Sequence, residues 1–421
     1  MTENEVQTAE AHQPAPPAPG GWRRNITLYL ASQIVSLFGS ALAQCVIFWY
    51  ISLETASGTM MTIAMISGFI PTFLISPFAG VWADRYDRKK IIILADSLVA
   101  LATLALFILF RLGHASVWFI IGAMAVRGLG QGIQQPAVGA LLPQLAPTDK
   151  LMRVNSISSS AQSAMMLVSP ALGGVLYAAF PIEVTFAVDV VTAAVAVAIL
   201  WFFVKAARIE PAPDSSAPSE RMGYFGDLKH GLRYIKRHRF VGRLFAYMIP
   251  LALLIAPVAI LFSLHLIQKF NADAKMLAIN DTIFAVGMLA GSALMMIWGG
   301  FKRRQLTIAV GCLVMSVGTI LYGVVPSFPL FACVTVILGL SMPLFNTAST
   351  VMLQENVENE YLGRVMSLLS MVTTLGMPIG LLVFGPLADK IGMWREFIFT
   401  GAAMLIMTIL FMFDKRIRAA R

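Results

Sequence analysis

The chain has 421 residues, 58% of them apolar and 13% charged, with a formal net charge of +9. Apolar runs of about 20 residues or more recur along it, each long enough to cross ~30 Å of hydrocarbon as a helix, which excludes a soluble globular fold. The runs are continuously hydrophobic rather than alternating, which argues against a transmembrane barrel.

In a polytopic membrane protein the excess of Lys and Arg reports orientation, so the charge implies no nucleic-acid partner. Cys45, Cys312 and Cys333 all fall inside apolar runs without CxxC or ligand spacing, and imply neither a disulfide framework nor a metal site. The chain has no GxxxxGK[ST] loop and no soluble segment large enough for catalysis. No cofactor is expected, and energy for any work must come from an ion or substrate gradient.

Residues 1–22 are polar and proline-rich and lack the features of a signal peptide, which predicts a disordered tail. Arg23 and Arg24 then place the start of the first span on the cytoplasmic side. Twelve spans are predicted, at 25–52, 59–82, 90–110, 116–142, 154–179, 184–204, 242–267, 277–300, 306–325, 329–352, 365–386 and 396–413. Twelve crossings bring the C-terminus, a basic tail at 414–421, back to the cytoplasm.

The basic residues test that count, because one missed span would invert every later loop. Of 31 Lys and Arg, 25 fall on the predicted cytoplasmic side; Arg111, Lys269, Lys275, Lys390 and Arg395 fall opposite, and Arg127 lies within a span. The turn Gly80–Lys90, GVWADRYDRKK, concentrates charge: six of its last seven residues are charged. It must be a turn at the membrane surface.

The one long internal connection, 205–241, opens with the linker EPAPDSSAPSE. Phe225, Leu228, Leu232 and Ile235 then recur at helical spacing beside Lys229, Arg233, Lys236 and Arg237, which predicts an amphipathic helix lying on membrane lipid. Its position divides the chain into two matched parts. GIQQP at Gly132–Pro136 recurs as GLSMP at Gly339–Pro343, LMRVNS at Leu151–Ser156 as LGRVMS at Leu362–Ser367, and Pro170 as Pro378, at offsets of 207, 211 and 208 residues. The expected fold is all-α, with twelve transmembrane helices in two pseudo-repeated six-helix bundles at 23–204 and 242–413. Such parallel halves enclose a site at their interface.

Several intramembrane residues are candidates for function. Gly80 permits close helix approach, and Asp84 can accept from a helix N-terminus or from arginines, so Asp84, Arg85 and Arg88 could latch one side of the protein; Lys89 and Lys90 could equally serve only to fix topology. In SPALGG, Ser169–Gly174, Pro170 removes a helix hydrogen bond, while Gly173 and Gly174 allow close packing. Arg127 lies near the midplane, where a charge costs ~2.5 to 3.5 kcal/mol; it needs either a wet cavity, for coupling or substrate work, or a buried partner. Asp96 and Asp189 are further coupling candidates or structural partners, and Glu54 and Asp281, nearer the outer side, could bind a proton.

These motifs resemble those of the major facilitator superfamily, and within it the bacterial drug-exporting permeases, macrolide-efflux permeases above all. GVWADRYDRKK resembles the family's loop motif G-x-x-x-D-R-x-G-R-[RK] through Gly80, Asp84, Arg85, Arg88 and Lys89, with Asp87 in place of the second glycine. SPALGG is similar to the exporters' G-P-x-x-G-G, with Ser169 in place of its first glycine. The family's fourth-helix arginine is linked to proton coupling; here the R-x-x-Q-G pattern is displaced, with Gln131 one place late.

The resemblance implies that spans one, four, seven and ten line a cavity. These carry Gln33, Gln44, Gln131, Gln134, Gln135, His265, Gln268, Asn346 and Thr347 among apolar neighbours, and a few such groups suit a bulky amphiphile. The expectation is a proton-coupled exporter of lipophilic drugs in the bacterial inner membrane, acting as a monomer with both termini cytoplasmic. An exporter of an endogenous amphiphile such as a siderophore or lipid, and a non-transporting sensor or assembly partner, are the alternatives.

Overall fold

The computed structural model describes residues 21–147, 150–204, 233–235, 237–414 and 417, leaving out the side chains of Asp84, Asn359 and Glu360. Most of the predicted N-terminal tail, nearly all of the linker with its amphipathic helix, and nearly all of the basic C-terminal tail lie outside the described residues.

Among the described residues twelve long helices follow one another: α1 Trp22–Thr55, α2 Gly58–Arg85, α3 Arg88–Arg111, α4 Val117–Leu145, α5 Leu151–Ala179, α6 Ile182–Phe203, α7 Arg239–Phe270, α8 Ala274–Trp298, α9 Arg304–Val324, α10 Phe328–Asn356, α11 Asn359–Ile391 and α12 Met393–Phe413. Eleven of them contain a stretch long and apolar enough to cross a membrane. The exception is α4, whose middle carries Arg127, Gln131, Gln134 and Gln135. Its polarity is kept from lipid in part by the bundle: Arg127 is 2% exposed.

Helix ends follow local chemistry. Ser57, Asp87, Ser116 and Asp273 sit at helix N-termini and accept from backbone amides of the first turn. Most helices outrun the predicted spans, α11 by several residues at each end, since hydropathy registers only the stretch in hydrocarbon while the helix continues into the polar interface. One element was not foreseen: α7 contains Pro250 and then a π-helical turn at Pro257–Leu261, so it is interrupted rather than uniform.

The helices alternate in direction, so the start of α1, the end of α12 and the Arg85–Lys90 turn share one end of the bundle, the near end; the α1–α2 and α11–α12 turns lie at the far end. Within the first six helices α2 and α3 pack on α4, α3 on α6, and α1 on α5 and α6. Six helices later the pattern repeats: α8 and α9 pack on α10, α9 on α12, and α7 on α11. Glycines make the matching contacts possible. A side chain on Gly128 of α4 would collide with the Gly68 backbone of α2, and one on Gly339 of α10 with the Phe284 carbonyl of α8, beside Gly287. In lipid, where apolar burial gives little drive, close backbone packing of this kind holds helices together. The halves meet chiefly along α2–α11 and α5–α8, with α1 against α7.

Candidate functional site

Hydrogen bonds between the halves cluster at the far end. Asp389, near the end of α11, accepts from the Gly58 amide (2.7 Å), the Thr59 amide (2.9 Å), the Thr59 hydroxyl (2.6 Å) and the Ser57 hydroxyl (2.8 Å), all at the start of α2. A carboxylate from one half thus caps a helix of the other, where free amides and the helix dipole favour negative charge. Gly58 and Gly385 lie back to back, and Thr62 donates to the Leu381 carbonyl at 3.0 Å. Gln268 donates to the Ala56 carbonyl at 3.2 Å, and the Trp49 indole to Asp281 at 3.0 Å.

Toward the near end, polar side chains are exposed along helix faces: Gln131 and Gln135 on α4, Ser156, Ser159 and Ser163 on α5, Asn346 and Thr347 on α10, and Ser367, Ser370 and Thr374 on α11. A polar exposed face on a membrane helix looks onto water, not lipid, so a wet space separates the halves at the near end. In the second half it deepens into a cavity of about 430 Å³ between α7, α10 and α11. Met248, Met342, Phe345 and Met377 supply apolar wall, while Asn346, Ser349, Thr350, Ser370 and Thr373 supply uncharged polar groups. The described lining contains no ionisable side chain.

Arg127 and Asp189 form an ion pair inside the first half, at 2% and 0% exposure. Arg127 also donates to the Thr103 hydroxyl (2.6 Å) and the Ser40 carbonyl (3.3 Å); Thr103 and Ser40 hydroxyls donate to Asp189 at 2.8 and 3.2 Å. The cluster ties α1, α3, α4 and α6 together. Asp96 is held separately, accepting from Gln134 at 2.5 Å and Ser36 at 3.5 Å.

Gln134, expected to line the cavity, therefore turns into the first half, because the buried Asp96 carboxylate needs a donor. His265, expected there too, is 2% exposed inside the second half; its Nε2 pairs with the Tyr322 carbonyl at 2.9 Å, between the rings of Phe331 and Phe397. Gln33 keeps a buried amide nitrogen without a partner among the described residues, and Gln44 is half-buried. Of the cavity candidates, Asn346 lines the cavity and Gln131 is exposed.

The side chain of Asp84 lies outside the described residues, and Arg85 is exposed. Arg88 donates to the carbonyls of Ala83 (2.9 Å) and Ala140 (2.7 Å), and Lys89 to those of Trp201 (3.0 Å) and Val204 (2.8 Å). Both bind the C-terminal ends of α2, α4 and α6 within the first half, where the helix dipole favours cations. Asp87, at the motif's second glycine position, caps α3 through the Lys89 amide at 3.0 Å. No atom would meet a side chain added at Gly80. In α5, Gly173 lies against the Trp49 ring and Gly174 against Ala278 of α8, below the buried Pro170.

Asp389 was not foreseen, although the sequence holds a signal for it. Gly385-x-x-x-Asp389-Lys390-x-Gly392 repeats the spacing of Gly80-x-x-x-Asp84-Arg85, at the far end of α11 instead of the near end of α2.

The family profile described as "Transmembrane secretion effector" matches residues 20–420. The chain is 30% identical over 396 residues to macrolide efflux protein A of Streptococcus pyogenes, covering 92% of this chain and 95% of that one. It is 31% identical over 333 residues to a protein of the same name from Enterococcus faecalis, covering 77% and 100%. A POT family transporter solved in complex with 5-aminolevulinic acid is similar in fold, with a TM-score of 0.71 at 14% identity, covering 94% and 96%. The doubled six-helix packing seen above is thus shared with known transporters rather than enzymes, and the chain belongs to the transmembrane secretion effectors of the major facilitator superfamily.

Proposed function

We propose that the protein exports lipophilic drugs, macrolides among them, across the bacterial inner membrane by proton-coupled alternating access. The near end then faces the cytoplasm, with both termini, and the arrangement described is the inward-open one. The observation that carries the reading is the pairing of a far end closed by Asp389 on α2 with a near-end cavity of about 430 Å³, walled by methionine, phenylalanine and uncharged polar groups. Such a wall takes large, mostly apolar molecules with scattered oxygen functions, and methionine lets it re-pack around different ones. The similarity to macrolide efflux proteins supports the substrate class. The partners of this reading are the drug, the proton and membrane lipid, and the transporting unit is the monomer.

Accumulation of a labelled macrolide is the test, in cells with and without the gene and with and without a protonophore. Lower accumulation with the gene, abolished by the protonophore, is the expected result. Equal accumulation in all four conditions would remove the reading for that compound.

A further inference from the structure

The two buried acids of the first half, Asp96 and Asp189, do not sense whether the halves are together or apart. Asp189 has Arg127, Thr103 and Ser40, and Asp96 has Gln134 and Ser36, all from α1, α3, α4 and α6. Protonating either changes no contact across the central interface. Asp281 of α8 is placed differently. The only donor to it among the described residues is the indole of Trp49, on α1 of the other half, at 3.0 Å, and it has no cationic partner. Trp49 is 2% exposed.

The packing around this pair is set by the SPALGG segment. Gly173 leaves room for the Trp49 ring, and Gly174 lets α5 close onto Ala278, one turn before Asp281. Among the described residues, the ionisable neighbours of Asp281 include the Cys45 thiol on α1 and the Tyr322 hydroxyl on α9; His265 of α7 is occupied by the Tyr322 carbonyl. The α5 residues facing α8, Ala171 and Ala178 with Gly174, carry no charge, and Lys275 lies almost two turns away on α8 itself.

We infer that Asp281 is a proton-binding site that couples closure of the far end to proton uptake, with Trp49 as the contact that reads it across the interface. The inference rests on the alternating-access reading above. When the far end opens, α1 and α8 part and water reaches the Asp281 carboxylate. When it closes, as it is here, the carboxylate is partly buried with one neutral donor and no cationic partner among the described residues, which disfavours its ionised form. A proton from far-side water converts the carboxylate to a carboxylic acid: one oxygen gains the proton, and the other still accepts the Trp49 N–H. The neutral acid is buried more readily than the charged one, so proton loading favours far-end closure.

The test measures the distance between spin labels on His114→Cys and Pro326→Cys, exposed far-end positions in different halves, after replacing the three native cysteines with alanine. In detergent or vesicles, the full-length protein should show the far end closing as pH falls. Asp281→Asn, fixed in the neutral form, should stay closed at every pH, whereas Asp96→Asn should keep the pH response. An Asp281→Asn protein that opens and closes with pH like its parent would overturn the inference. So would a parent whose distance ignores pH; the export reading is decided separately, by the accumulation assay.

Discussion

Arg127 and Asp189 show how a membrane bundle accommodates a charge near its centre: the guanidinium is met by a carboxylate, a hydroxyl and a carbonyl from three other helices. Removing one partner leaves the other charge buried and uncompensated, at a cost of about 3–5 kcal/mol. Arg127→Leu and Asp189→Leu are therefore each expected to lower the melting temperature of the purified protein sharply, and the double variant to recover part of the loss. A double variant no more stable than the singles would show that the pair is not the source of the stability. Arg88 and Lys89 act by similar chemistry at the surface, as donors to the last carbonyls of α2, α4 and α6.

At the scale of elements, helix ends and glycines supply the specific contacts that join the halves, on top of an apolar cluster that runs through both. Asp389 serves as a cap for α2 although it belongs to α11, so this cap exists only while the far end is shut. Losing a cap costs about 1 kcal/mol, which is several-fold in a two-state population. Asp389→Ala is expected to move the His114–Pro326 label distance toward the open form by that factor, and an unchanged distribution would show that the glycine contact alone holds the end. Gly174 is the corresponding feature of α5–α8. A valine there meets Ala278, so Gly174→Val should still insert into the membrane but should lose macrolide export in the accumulation assay.

For the whole molecule, a closed far end and a wet near end predict which side reaches the cavity. Asn346→Cys should react with a membrane-impermeant thiol reagent in inverted vesicles and resist it in intact cells, with protection in cells falling when Asp389→Ala is added. Equal labelling from both sides would contradict the inward-open arrangement.

Much of this organisation was legible beforehand, because it depends on sums and periodicities. A run of apolar residues crosses a bilayer whatever its neighbours, and the repeated GIQQP/GLSMP and LMRVNS/LGRVMS segments reveal the doubled architecture. The bilayer cost of Arg127 even required a partner or a wet cavity. Its choice of Asp189 over Asp96, the turning of Gln134 and His265 away from the cavity, and the joining of Trp49 to Asp281 and of Asp389 to α2 were decided only in three dimensions. Hydropathy averages around a helix and is blind to its rotation, whereas a hydrogen bond between residues hundreds of positions apart exists only when two particular helix faces meet in one of the molecule's states.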